Sequence, residues 1–121
     1  MPDAEPTSIR QADEILVGLD AGMGRIEAVA FDRDGCELQA VSTPSPTLSP
    51  VAPLEHGPEQ DLGDLWQASA RALRQLAGLV PELARRTVAL AITGQSGGTW
   101  LIDEDGDPVA PAPQVPFWNP K

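Results

Sequence analysis

Basic residues, cysteine and long apolar runs are what this sequence has least of, and each scarcity closes off a class of protein. Lys and Arg together number 8 against 18 Asp and Glu, a net charge of -10. A field of that sign repels nucleic-acid backbones and anionic lipid headgroups, so neither is an expected partner. The acidity serves solubility. It does not bar a phosphorylated ligand, because phosphates are held by local amide groups and a metal ion and not by net charge. One cysteine, Cys36, rules out an internal disulfide. The longest purely apolar stretch, Val88 to Ile92, is far short of a membrane span. The opening MPDAEPTSIRQADE has neither the basic start nor the apolar stretch of a signal peptide, and a cytoplasmic protein is expected.

Length sets the scale of what remains. The 121 residues suffice for one domain with a modest core and are too few for two lobes around a cleft. The 13 prolines gather at the N-terminus, in residues 44–58 and near the C-terminus, which marks those stretches as tails and loops. Residues 1–13 read as a flexible leader, 14–112 as the domain and 113–121 as an irregular tail.

Within the domain, Ile15-Leu16-Val17-Gly18-Leu19-Asp20 is a short run of branched apolar residues ending in an acid, the pattern of a buried strand entering a turn. Ile26 to Phe31 is a second strand, closed by the hairpin signal Asp32-Arg33-Asp34-Gly35, and Glu37 to Ser42 alternates as a third. Three strands with short turns make an antiparallel meander. The Pro/Ser/Thr composition of Thr43 to Pro58 predicts a loop without regular structure.

A helix follows, with Asp61 as N-cap and Asp64 three residues on. Its apolar stripe runs Leu62, Leu65, Trp66, Ser69, Ala70, Leu73, Leu76, Ala77 and Val80, which places Trp66 in the core, and Pro81 ends it. Val88 to Thr93 is a further buried strand, and the intervening helix predicts that it lies parallel beside the first. Thr99 to Asp103 reads as a last strand. The order β-β-β-α-β-β gives an α/β domain with a mixed sheet in two or three layers.

Two loops combine residue types that carry chemistry. Asp20-Ala21-Gly22-Met23-Gly24 follows the first strand directly; a carboxylate there can hold a magnesium ion through water, and glycines let amides approach phosphate oxygens. Thr93-Gly94-Gln95-Ser96-Gly97-Gly98 leaves the end of the other buried strand, and a glutamine amide both donates to and accepts from a sugar hydroxyl. Each loop alone reads first as a plain turn, and only the pair together points to a site. If the two strands are parallel neighbours, both open on one edge of the sheet. Trp100 either lines that edge or packs, and packing is expected. His56 and Cys36 match no catalytic pattern.

Five segments, in order and at similar separations, resemble the opening of the FGGY carbohydrate kinases: Val17-Gly18-Leu19-Asp20-Ala21-Gly22; Ala28 to Gly35; Glu59-Gln60-Asp61 before Leu65-Trp66; Ile92-Thr93-Gly94-Gln95; and Leu101-Ile102-Asp103-Glu104-Asp105-Gly106-Asp107-Pro108. The resemblance covers roughly residues 14 to 112. It implies the ribonuclease H-like fold shared with actin, Hsp70 and hexokinase, in which two domains clamp ATP and substrate. It further implies that Asp20, Gly22 and Gly24 face the phosphates, with Asp20 toward Mg2+, and that Gln95, Ser96, Gly97 and Gly98 face a sugar or polyol.

The family's phosphate loop usually reads Asp-x-Gly-Thr-Thr or Asp-x-Gly-Thr-Ser; here Met23 and Gly24 stand at the hydroxyl positions and Glu27 where a basic residue is common. Ser96 and Gly97 replace the larger polar side chains with which many relatives contact sugar hydroxyls. No residue of this chain matches the family's catalytic aspartate, which comes later in the family pattern together with the adenosine-binding domain. The expectation is therefore an N-terminal portion of an ATP-dependent sugar or polyol kinase, inactive without a C-terminal domain. The alternative is a non-catalytic binding module derived from the same half-fold.

Overall fold

A computed structural model of the chain describes residues 9, 12–48, 59–95, 98–109 and 112–113. The meander forms as its alternation dictates. In β1 (Ile15–Ala21) the residues Ile15, Val17 and Leu19 are buried, and in β2 (Arg25–Phe31) Ile26, Ala28 and Ala30 are. Successive strand side chains point to opposite faces, so these six share one face of the sheet. β2 pairs antiparallel with β1 and with β3 (Glu37–Pro44).

The turn between β2 and β3 follows from its sequence. The carboxylate Oδ1 of Asp32 accepts from the amides of Asp34 and Cys36 at 2.9 Å each, and Gly35 takes φ 85°, a left-handed conformation that favours glycine. The same Asp-x-Asp-Gly pattern recurs at Asp103 to Gly106. There Asp103 Oδ1 accepts from Asp105 and Asp107 at 3.0 and 2.9 Å, and Gly106 takes φ 86°.

The proline-rich connection is more ordered than its composition predicts. β3 runs on to Pro44, and β4 (Thr47–Leu48) pairs antiparallel with β5 (Glu59–Gln60). Pairs this short suit a proline-rich segment, because each proline removes one ladder donor. Residues 49–58, His56 among them, lie outside the described residues.

Helix α1 (Leu62–Leu79) begins where the cap predicts, with the Asp61 side chain accepting from the Asp64 amide at 2.9 Å. It ends at Leu79 because Val80, preceding Pro81, is extended (φ -112°, ψ 109°). Ala68, Ser69, Ala72 and Leu76 are buried, with Leu65 and Leu73 packed against the core. Trp66 is 72% exposed and does not anchor the core. At ~100° per residue it sits roughly 120° around the helix from Ala72, and the small Ala68 and Ala72 set the face that approaches the sheet.

After Pro81 comes a four-residue helix that the sequence did not announce, α2 (Leu83–Arg86). Arg86 is buried and, among the described residues, donates to backbone oxygens: Nε to Ala12 at 2.9 Å, Nη1 to Pro81 at 2.8 Å and Nη2 to Ile9 at 2.6 Å. Ala12 is buried and Ile9 packs beside it, so the packed chain reaches back before Glu14 into the stretch read as a leader.

β6 (Thr87–Gly94) lies parallel to β1, as expected, and completes a four-stranded mixed sheet of order β3-β2-β1-β6. β7 (Ala112–Pro113) adds to β5, giving a small sheet of order β4-β5-β7. The strand expected from Thr99 is instead a tight turn with a single bridge, Ile102 to Pro108. Its side chains at Leu101 and Ile102 are exposed, so no buried face draws it into a sheet. Helix α1 packs chiefly on β2 and β3 and leaves β6 uncovered, with Val88, Leu90 and Ile92 56%, 48% and 67% exposed. Among the described residues no helix is long and apolar enough to cross a membrane.

Candidate functional site

Parallel pairing of β1 with β6 decides where the two chemistry-bearing loops go. Asp20 stands opposite Thr93 and Ala21 opposite Gly94, so both strands deliver their carboxyl ends to one edge of the sheet. Open α/β sheets commonly bind ligands at such an edge, where loops leave the strands without having to cross the core.

Asp20 is exposed and belongs to the face turned away from α1, since Leu19 beside it is buried under the helix. Its antiparallel partner on β2 is Glu27. Together with Gly18, Val29, Phe31 and Thr93 the two acids line a shallow depression of about 250 Å3. Gly22 is required by the turn: a Cβ there would lie 2.9 Å from the Arg25 carbonyl oxygen. Gly24 has open space around it, and its carbonyl accepts from the Ser45 amide at 3.1 Å. Arg25 is directed along its own sheet, with Nε donating to Ser42 Oγ at 2.8 Å and lying 4.0 Å from Glu27 Oε1.

On the α1 side of the same edge is a second cavity, of about 340 Å3, whose walls include Gln60, Leu62, Leu65, Thr93, Gln95 and Trp100. Oε1 of Gln95 is buried there. Trp100 is half-buried and lines this cavity, which departs from the expectation that it simply packs. Gly98 is half-buried; Ser96 and Gly97 lie outside the described residues. Gln60 carries no site signal in the sequence. It is 1% exposed, and its Nε2 donates to Ser45 Oγ at 3.1 Å. A polar side chain between two acids and just ahead of a helix cap gives no warning of burial; the small sheet creates it.

Among the described residues no group of three or more His, Cys, Asp or Glu could hold a metal ion. Asp20, with Glu27 opposite, is a donor set of one or two hard oxygens. That fits Mg2+ arriving with phosphate and water ligands and does not fit a cation caged by protein alone. The carboxyl of Glu82, held below its usual range by its hydrogen bond and ion pair to Arg85, lies beyond the far end of α1.

A family model described as the FGGY family of carbohydrate kinases, N-terminal domain, matches residues 15–115. This chain belongs to that family. An erythritol kinase of Brucella abortus (strain 2308) is 39% identical over 107 residues, covering 88% of this chain and 20% of that protein. An L-xylulose/3-keto-L-gulonate kinase of Escherichia coli (strain K12) is 28% identical over 96 residues, 79% of this chain and 19% of that protein. The chain thus spans about a fifth of the length of the curated FGGY relatives it matches.

Among solved structures, a xylulose kinase from Rhodospirillum rubrum superposes with a TM-score of 0.71 at 22% identity, covering 84% of this chain and 20% of that one. A Plasmodium falciparum glycerol kinase with ADP gives 0.64 at 12% identity, covering 92% and 21%. At such identities the agreement is one of fold. The actin- and hexokinase-like architecture implied by the sequence resemblance is the architecture of this FGGY domain.

Proposed function

We propose that this domain forms the phosphate-facing and substrate-facing half of an ATP-dependent kinase acting on a sugar or polyol, and that a second domain must close on it before phosphoryl transfer takes place. The observation that carries the reading is the parallel register of β1 and β6, which brings Asp20 and Gln95 to one edge on opposite sides of the sheet. In this reading Asp20 would hold Mg2+ through a water, the amides around Gly22 and Gly24 would meet phosphate oxygens of ATP, and Gln95 to Gly98 would hold the acceptor's hydroxyls; the metal would supply charge neutralisation at the transferred phosphoryl group.

Transfer forms a bond from the acceptor oxygen to the γ-phosphorus and breaks the β–γ bridge, releasing ADP. The acceptor proton needs a base, and no described side chain of this domain both lines the substrate cavity and carries a carboxylate. The exposed Val88, Leu90 and Ile92 of β6 also favour a covering body beside this edge.

The test is titration calorimetry of the purified chain with Mg-ATP, erythritol and xylulose, run beside an ADP-release assay. Saturable binding of nucleotide or acceptor without ADP release is the expected result. Absence of both binding events removes the kinase reading, and ADP release by the chain alone removes the requirement for a second domain. The loss of hydroxyls at Met23 and Gly24 favours one other reading, a non-catalytic module that binds the acceptor and no nucleotide. Acceptor binding without ATP binding would select it.

A further inference from the structure

Among the described residues, the cavity on the α1 side of the edge is lined by two kinds of surface. Leu62 and Leu65 from the first turn of α1, with Ile92 and Trp100, give it an apolar wall; the amides of Gln60 and Gln95 give it neutral hydrogen-bonding groups. No cationic side chain is among the described lining residues, and the chain carries a net charge of -10. A carboxylate or phosphate entering this space would lose hydration and find no counter-charge, whereas an uncharged polyhydroxyl compound would keep its hydrogen bonds and lay its C–H edge on the apolar wall.

Gln60 is suited to fix orientation. It is 1% exposed and its Nε2 is tied to Ser45 Oγ at 3.1 Å, so its amide is set before any ligand arrives and little side-chain freedom remains to be lost. Resting on the kinase reading above, we propose that this cavity is the acceptor subsite, that Gln60 and Trp100 are its specificity-determining residues, and that it admits neutral short-chain polyols and excludes sugar acids. Trp100 provides the wall and Gln60 the pre-set amide beside Gln95.

The experiment is saturation-transfer NMR on the full chain with two probes, the neutral four-carbon polyol erythritol and the sugar acid D-gluconate, repeated on Trp100→Ala and Gln60→Leu. Circular dichroism and urea unfolding verify that each variant is folded. Because Gln60 is buried and its variant can fail to fold, Trp100→Ala, a change at a half-buried residue outside both sheets, is the deciding one. The wild-type chain is expected to bind erythritol and to leave gluconate unbound, with affinity for erythritol falling roughly tenfold in Trp100→Ala, the scale of a lost aromatic contact. Unchanged erythritol affinity in a folded Trp100→Ala overturns the assignment and leaves the kinase reading intact. Gluconate binding as tight as that of erythritol overturns the exclusion of acids. Failure of the wild-type chain to bind either probe overturns the acceptor half of the kinase reading and this assignment with it.

Discussion

Gly22 and Gly24 look alike in the sequence, two glycines of one loop, yet the structure gives them different work. A Cβ on Gly22 would lie 2.9 Å from the Arg25 carbonyl, a backbone atom that moves only with the strand, while a Cβ on Gly24 meets nothing within 4 Å. Gly22→Ala is therefore expected to cost roughly 1–3 kcal/mol by forcing the turn open, and Gly24→Ala to stay within about 0.5 kcal/mol of the parent. Urea midpoints of the two variants measure this directly, and equal losses would show that the turn does not hold Gly22 as closely as described. The difference matters for ligands, because a turn that stays tight keeps Asp20 at the edge and leaves the amide at Gly24 approachable.

At the scale of elements, what could be read in advance was what short-range chemistry decides. The Asp-x-Asp-Gly turns, the Asp61 cap and the stop before Pro81 all depend on residues within four positions of one another, and each formed as its sequence implies. The parallel placement of β6 was legible for a related reason, since a helix between two apolar strands leaves few ways to pair them. What was not legible depends on residues far apart. Burial of Gln60 needs β4 and β7 to arrive from either side, and burial of Arg86 needs carbonyls more than seventy positions away at Ile9 and Ala12.

The orientation of α1 is the case with the plainest test. Its stripe is broad enough for two settings about a quarter turn apart, and the sheet selected the one that presents Ala68 and Ala72 and turns Trp66 outward. Trp66→Ser is expected to shift stability by about 0.5 kcal/mol or less, against roughly 2–5 kcal/mol for Leu76→Ala, whose fully buried side chain leaves a cavity. A Trp66→Ser loss approaching that of Leu76→Ala would mean that the helix packs by the other face.

For the molecule as a whole, charge opposes compactness. The described ion pairs, Arg33–Glu14 at 2.9 Å, Arg85–Glu82 at 2.8 Å and Arg25–Glu27 at 4.0 Å, join exposed side chains. Pairs of that kind contribute little each, and salt weakens them. With 18 acidic residues against 8 basic ones, most of the acids have no cation to balance them, and folding gathers them within a small radius. Screening therefore removes more repulsion than attraction. Moving from ~20 mM to ~0.5 M sodium chloride shortens the Debye length from about 20 Å to about 4 Å. The expected outcome is a rise in melting temperature of roughly 2–5 °C, the scale of less than 1 kcal/mol in a domain of this size. Differential scanning fluorimetry at a series of salt concentrations reads it. A flat or falling curve would show that the exposed ion pairs outweigh the net field.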